Sequence, residues 1–423
     1  MRIFGRKNRK TAAFDFMVLM HLLLLLPALA GSTAPVDSHN AKTRPVPHKQ
    51  LIEKLVRQGY ENVIVQTGAP VTLLSFEDVS YRQSVRGLKQ AIRQAIFHLP
   101  PTDGHVFVIL QKYGVPVAGF ASRDVETIEF QNGRKIALPH LEVGDPLVYW
   151  RYFRPFYPAN SSVFKSDLII HPNVRAMLGN YDNPVALQLN LIPELRLVLF
   201  AGGVLSASAI APLYNELESF GNTPRLGPTN MNYFRALPNG FWFYTSFGYF
   251  YDERYGAQAQ IRKLSDRGRW AVDARIGWTG YAVMDHGSFI YSPMATLTWS
   301  LETTYFFRNL RLFVSGGYHQ FLEQDLGWRF DMYRFFGHLR LGFWAGTGAG
   351  QWNGGFRVAL PLPPSRYRPR QKFRLRMADT MRIGYVGRRE ITTGRILENS
   401  ELMDDLLIDS FPGYLQSHID LQK

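Results

Sequence analysis

Regular alternation of apolar and polar side chains between residues 185 and 387 is the sequence feature that most constrains the fold. Apolar residues recur at every second position, as at Val185, Leu187 and Leu189. A period of two is typical of β-strands with one apolar face. About eleven such segments follow one another. Most approach the ~9–11 residues that a tilted membrane strand needs.

A transmembrane barrel and a soluble β-sandwich both show this alternation, but the charges and aromatic residues favour the barrel. Charged residues lie opposite the apolar face in nearly every segment, where a polar lumen would accommodate them. A lipid-facing Arg would cost ~2–4 kcal/mol near the membrane midplane. Aromatic residues such as Trp270, Trp278 and Trp328 lie near segment ends, as in two interfacial girdles.

We therefore predict a mainly β protein with an antiparallel transmembrane β-barrel. Because bacterial barrels favour even strand counts, we expect 10 or 12 strands. A soluble secreted β domain is the alternative.

The first thirty residues have the organisation of a secretory signal peptide. A basic segment at 2–10 precedes an apolar run at 17–26 and the small-residue site Ala28-Leu29-Ala30. The run is shorter than the ~20 residues of a membrane helix, which favours cleavage over a permanent anchor. Cleavage would remove five basic residues and one acidic residue and lower the net charge from +14 to +10.

The absence of cysteine excludes a disulfide framework, thiolate metal sites and a lipid-modified N-terminal cysteine.

Residues 49–145 have a different pattern, which predicts a small periplasmic α+β domain. The segments are, in order, a helix near Leu51, strands at 62–66 and 71–76, an amphipathic helix at 85–99, and strands at 106–111 and 115–121. We find no nucleophile–base pair in them, so we expect a docking role.

The whole chain then divides into six parts. They are a signal peptide 1–30, a linker 31–48, the periplasmic α+β domain 49–145, a connector 146–184, the outer-membrane β-barrel 185–387 and a C-terminal tail 388–423. The tail contains an acidic helix candidate at 398–408. A periplasmic tail, a tail that plugs the lumen and a disordered tail are all open alternatives.

Arginine is the residue that recurs on the polar face of the predicted strands, and arginine is suited to bidentate contacts with carboxylate or phosphate. The candidate lumen-facing, substrate-binding set is Arg196, Arg262, Arg275, Arg311, Arg329, Arg340, Arg357, Arg374, Arg376 and Arg382, with Asp273 and Asp331. One hypothesis is an electropositive wall that guides an anionic polysaccharide. The alternative is that Arg–Asp and Arg–Glu pairs brace a plugged, non-conducting lumen.

Catalytic and metal-binding patterns are weak in this sequence. The nearest Ser–His pairs are His286 with Ser288 and His319 with Ser315, and neither lies in a recognisable nucleophile motif. The 11 histidines show no metal-binding spacing on a helix. We therefore expect no enzyme activity, no catalytic residue, no metal and no cofactor, and we find no nucleic-acid motif.

Several barrel segments resemble the YjbH family of exopolysaccharide-associated outer-membrane proteins. They are residues 201–205, 212–215, 248–257, 325–337, 342–343 and 352–356. The resemblance covers the barrel and, more loosely, residues 49–145, about 300 residues in all. It implies a β-barrel encoded with exopolysaccharide or capsule secretion machinery. Some relatives are lipoproteins, which this cysteine-free chain cannot be, and some are much longer.

Together these observations predict a protein of the Gram-negative cell outer membrane that assists export or surface assembly of an exopolysaccharide. The expected partners are outer-membrane lipid, an anionic polysaccharide, and periplasmic polysaccharide-secretion proteins that bind residues 49–145. A general porin or structural barrel without a polymer role is the first alternative. A lipid-modifying enzyme with its site at the barrel rim is the second.

Overall fold

The computed structural model describes most of the chain after residue 45. The described residues are 46–68, 71–82, 84–98, 105–131, 134–178, 185–217, 222–265, 268–285, 288–367, 372–387, 394–399 and 403–418. The predicted signal peptide 1–30 and most of the linker 31–48 lie outside them. The end of that linker forms a short strand that pairs with residues 66–67.

The first part of the described chain is an α+β domain, as predicted. Its elements are β1 (Val46–Pro47), α1 (Lys49–Arg57), β2 (Tyr60–Gly68), β3 (Val71–Asp78), α2 (Ser84–His98), β4 (His105–Lys112), β5 (Val115–Gln131) and β6 (Arg134–Gly144). They form one sheet in the order β1-β2-β3-β4-β5-β6. Only β3 and β4 pair in parallel, since α2 provides the crossover that a parallel pair needs. The prediction lacked β6.

Both helices pack on this sheet because their apolar residues are three or four positions apart. Leu51 and Leu55 of α1, with Leu88 and Ile92 of α2, are buried in one core. That core continues into the barrel.

After the short helix α3 (Pro146–Trp150), the chain forms a closed β-barrel of thirteen strands. The ring consists of β7 (Ser166–Leu178), β8 (Val185–Phe200), β9 (Gly203–Asn215), β10 (Arg225–Leu237), β11 (Phe241–Phe250), β12 (Arg254–Leu264), β13 (Trp270–Asp285), β15 (Thr296–Phe307), β16 (Leu312–Gln320), β17 (Leu326–Phe336), β18 (Leu339–Gly348), β19 (Gln351–Pro361) and β21 (Thr380–Val386). Two further strands each pair with a single strand of the ring. They are β14 (Ser288–Tyr291), which pairs with β13, and β20 (Phe373–Met377), which pairs in parallel with the first half of β7 on the edge that β21 continues.

Every neighbouring pair in the ring is antiparallel except β21 and β7, which close it in parallel. An odd number of strands that alternate in direction requires one such pair. The predicted fold class is confirmed, but the strand count is thirteen instead of 10 or 12.

The barrel also begins earlier than predicted. Its first strand lies within residues 146–184, which we had assigned to a connector. The mixed run Leu168-Ile169-Ile170 and the proline at 172 conceal the alternation of β7.

One face of the barrel strands is apolar and exposed, and the other is polar and buried. In β8, Val185, Leu187 and Leu195 are exposed, while Gln188 and Glu194 are buried. Residues that pair directly on neighbouring strands lie on the same face of the sheet. The buried polar residues of successive strands therefore form one continuous face, which lines the lumen. The apolar side forms the outer wall. None of the helices in the described ranges is both long and apolar enough to cross a membrane.

Gly202 lies in the turn between β8 and β9, where the barrel contacts the α+β domain, and a substitution there tests this close packing. Its φ is +79°, and an added Cβ would lie 2.0 Å from the carbonyl oxygen of Phe234. We expect Gly202→Ala to cost about 1–3 kcal/mol and to lower the folded fraction, measured as the heat-dependent mobility shift on semi-native gels. Gly384→Ala is the control, since a Cβ there meets no atom within 4 Å. Equal folded fractions for the two variants would contradict this placement of Gly202.

The barrel lumen as the candidate functional site

The two ends of the barrel differ in what they contact. The proximal end, where β7 begins, faces the α+β domain. There Gly202 N–H donates to the carbonyl oxygen of Tyr113 (2.7 Å), and Arg196 Nη1 donates to the Tyr113 hydroxyl (2.7 Å). Because β21 runs parallel to β7, the last strand ends at the opposite, distal end.

The C-terminal tail therefore starts at the distal end. Leu322 N–H donates to the carbonyl oxygen of Arg395 (3.0 Å), and Gly394 N–H donates to Asp325 Oδ2 (3.0 Å). Leu322 and Asp325 belong to the turn between β16 and β17, at the distal rim. Tail residues 394–399 follow the inside of the barrel from this rim.

Asn399 fixes the tail inside the lumen. Its Nδ2 donates to the Tyr244 hydroxyl (2.8 Å), to Ser246 Oγ (2.9 Å) and to Asn232 Oδ1 (3.1 Å). Asn230 Nδ2 donates to Asn399 Oδ1. Only 3% of Asn399 is exposed, so these bonds satisfy a buried amide that would otherwise be costly.

The tail then reaches the proximal end as the helices α4 (Met403–Leu407) and α5 (Pro412–His418). Leu407 and Phe411 are buried in one core with the inward-facing Phe306 and Phe313. Val143 N–H of the α+β domain donates to Gln416 Oε1 (2.9 Å). The tail thus passes through the lumen and joins the barrel to the domain. Of the open alternatives for the tail, the structure shows the one inside the lumen.

Six of the ten predicted arginines line one cavity of about 500 Å³ between the barrel wall and the tail. They are Arg262, Arg275, Arg329, Arg340, Arg357 and Arg382.

Carboxylates from both the wall and the tail contact these arginines. Arg262 Nε lies 2.6 Å from Asp273 Oδ1, and Arg329 Nε lies 2.7 Å from Asp331 Oδ2.

Two further arginines of the cavity bind the tail itself. Arg382 Nη2 lies 2.8 Å from Asp405 Oδ1, and Arg357 Nη2 lies 3.7 Å from Glu398 Oε1. The acidic residues of the tail therefore hold it against the wall.

The remaining four predicted arginines lie elsewhere. Arg196 faces inward but binds Glu194 (2.9 Å) and the domain. Arg374 and Arg376 belong to β20, and their pairing with β7 puts them on the same inward side as Arg196 and Glu194, at the proximal end. Both contact Asp167.

The prediction that Arg311 faces the lumen from a strand is wrong. Arg311 lies in the turn before β16 with φ +49°, and it is exposed. The alternation that begins at Leu310 suggested a strand there, but the strand begins two residues later.

Three arginines of the cavity were missed, namely Arg175, Arg225 and Arg395. Arg175 follows the proline in β7, and Arg395 belongs to the tail, so no alternation marked either one.

A buried ionic cluster joins the domain to the barrel. Glu61 Oε1 accepts from Lys165 Nζ (2.8 Å) and from Arg374 Nη1 (2.7 Å). Nearby, Glu77 Oε1 accepts from Tyr113 N–H (2.7 Å). Burial raises the pKa of Glu77, and the charge of Glu61 adds to the rise.

The predicted Ser–His pairs do not form a catalytic arrangement. Ser315 Oγ shares a hydrogen bond with Thr304 Oγ1 (3.0 Å), while His319 Nε2 lies 3.7 Å from Glu302 Oε2. His286 lies outside the described residues. Within those residues, no group of three or more His, Asp or Glu side chains is placed to hold a metal ion.

No protein-family model and no curated protein matches this chain. One solved structure to which it is similar is OmpTdeltaL8, a loop L8 deletion mutant of OmpT, an outer membrane protein of Vibrio cholerae. The identity is 7%, the TM-score is 0.25, and the match covers 46% of this chain and 85% of that chain. A similarity at this level carries no argument about function.

The absence of cysteine in the chain allows a direct test of the tail position. We expect Asn399→Cys combined with Ser246→Cys to be joined by a short thiol-specific cross-linker in the folded protein, because the two native side chains are hydrogen-bonded. Peptide mass spectrometry would detect the link. The control pairs Asn399→Cys with Thr303→Cys, since Thr303 lies on the outer face of β15. Equal linkage in both pairs, or none in the first, would contradict a tail inside the lumen.

Proposed function

We propose that this chain is an outer-membrane β-barrel protein that assists the export or surface assembly of an anionic exopolysaccharide. The proposal has three parts: the membrane location, the anion-binding lumen and the polymer role.

The outer surface of the barrel supports the membrane location. A closed ring leaves no unpaired strand edge, which is the condition for strands to cross lipid. Exposed aromatic residues lie near both ends, with Trp270 and Phe336 at the proximal end and Trp328 and Trp352 at the distal end. Trp270 and Trp278 are separated by about 27 Å along β13, which a strand tilt of ~35–45° reduces to roughly 20 Å along the barrel axis, within the ~25 Å apolar band of membrane barrels.

The positive charge of the cavity is the main observation that supports anion binding in the lumen. Nine arginines and six carboxylates line it. The excess is positive although several arginines bind carboxylates. Arg275 Nε is buried and has no hydrogen-bond partner among the described residues. Arginines in a partly enclosed, low-dielectric space attract carboxylates more strongly than the same residues in water.

The tail argues against a general diffusion porin. Its described residues, 394–399 and 403–418, lie between the distal rim and the proximal end and leave a cavity of about 500 Å³, in the range of binding pockets at ~300–1,000 Å³. A barrel of this kind is better suited to binding than to free passage. The resemblance of residues 248–257 and 325–337 to the YjbH family supports a polysaccharide as the anion. Residues 49–145 would then bind the periplasmic secretion proteins.

The test is surface polysaccharide in a strain whose own copy of the gene carries Arg275→Gln and Arg340→Gln. We expect polymer at the cell surface to fall several-fold, because two cationic groups of the cavity are removed without touching its ion pairs with the tail. Arg311→Gln is the matched control, since that arginine lies in an exposed turn. Equal barrel levels in the membrane fraction are required of all strains. Unchanged polymer in the double variant would refute the anion-guiding lumen.

A further inference from the structure

A smaller cavity, of about 310 Å³, lies at the distal end of the barrel and shares Arg175, Met177, Asp252, Glu253 and Arg395 with the cavity of about 500 Å³. Six charged residues line it. Asp252 and Glu253 belong to the turn between β11 and β12, and Glu323 belongs to the turn between β16 and β17. The three arginines are Arg175 of β7, Arg254 of β12 and Arg395 of the tail. The volume is at the lower end of the ~300–1,000 Å³ typical of ligand pockets.

Arg254 is the unusual residue of this distal cavity. Only 2% of it is exposed, and its guanidinium carbon lies 3.5 Å from the centroid of the Tyr281 ring. Nη1 donates to Thr296 Oγ1 (2.9 Å), and Nη2 donates to the Tyr281 hydroxyl (2.6 Å). Nε has no hydrogen-bond partner among the described residues.

The carboxylate that pairs with Arg254 is distant. Glu323 Oε1 lies 3.9 Å from Nη2, and the Glu323 side chain is more than one-third exposed. A buried guanidinium normally has well-placed acceptors, because an uncompensated buried charge is costly. The cavity thus presents a cation whose hydrogen-bonding capacity is incompletely used.

The mixture of charges around Arg254 limits which ligands fit. A ligand carboxylate would bind Arg254 or Arg395, since guanidinium groups bind carboxylates in bidentate fashion. Asp252 and Glu253 would accept hydrogen bonds from ligand hydroxyls. A polyphosphate would bring negative charge against these carboxylates without offering donors to them.

We propose that the distal cavity binds an acidic sugar residue, a hexuronate, of the polysaccharide. This inference rests on the proposed function and names the chemical class of its substrate. Arg254 binds the sugar carboxylate from the wall, and Arg395 binds it from the tail. The ligand therefore contacts the segment that occupies the lumen.

The experiment measures binding of short glucuronate and galacturonate oligosaccharides to the purified full-length protein in detergent, by saturation-transfer NMR and calorimetry. Neutral malto-oligosaccharides serve as the comparison ligand. We expect Arg254→Gln and Arg395→Gln each to raise the Kd about tenfold, as for the loss of a charged hydrogen bond. Arg395 is exposed, so its variant tests the site even if Arg254→Gln fails to fold. Arg311→Gln, in the exposed turn before β16 at the proximal end, is the control and should leave the Kd unchanged.

The inference is overturned if neither acidic oligosaccharide binds, if malto-oligosaccharides bind equally well, or if Arg395→Gln leaves the Kd unchanged. Failure of this inference is separable from failure of the proposed function. Loss of surface polymer in the Arg275→Gln and Arg340→Gln strain, without hexuronate binding at the distal cavity, would retain the function and reject the distal site. Arg254 lines the distal cavity and not the larger one, whereas Arg395 lines both. Hexuronate binding that depends on both Arg254 and Arg395, with normal polymer in that strain, would retain the site and reject the lumen as the guide.

Discussion

Closure of a ring with an odd number of strands is the constraint on which the rest of this structure depends. Every strand must pair on both sides, and successive strands alternate in direction. The thirteenth strand therefore runs in the same direction as the first, and β21 closes against β7 in parallel. The chain enters the barrel at the proximal end and leaves it at the distal end. The tail leaves the last strand at the distal end but contacts the α+β domain at the proximal end. It therefore has to run back along the barrel, and it does so through the lumen.

The composition of the lumen follows from this return path. Asn399 occupies a buried position among four polar side chains, where its amide is fully hydrogen-bonded. Glu398 and Asp405 contact arginines of the wall. At the proximal end, apolar residues of α4 and α5 pack on Phe306 and Phe313. The tail is thus polar along the middle of the lumen and apolar where the barrel meets the domain. The cavity also contains arginines that the tail does not contact, and these give it an excess of positive charge.

Local patterns predicted the strands well where alternation was regular. The alternation of β8 placed its exposed and buried residues correctly, and Arg262 and Asp273 do face each other across β12 and β13. The α+β domain was recognisable because its helices have apolar residues at a spacing of three or four. The proline in β7 concealed one strand, and small residues such as Ser206 and Ala207 concealed another, β9. The strand β10 was also missed, and the two halves of β8 were read as separate segments. Without these strands, the sequence could not show that the ring has an odd number of strands, and hence could not give the path of the tail.

The error at Arg311 has a related cause, since alternation does not mark the residue at which a turn ends and a strand begins. The carboxylates that contact Arg357 and Arg382 are distant in sequence, and no local pattern indicates such pairs.

The position of the tail inside the barrel lumen can be measured as ion conductance in planar lipid bilayers, with the full-length protein compared with a chain that ends at Gly387. The heat-dependent mobility shift would show that both forms are folded. We expect little conductance for the full-length protein. The shortened chain should form a stable, anion-preferring channel, because the arginines of the wall remain when the tail is absent. Equal conductance of the two forms would be incompatible with a tail inside the lumen.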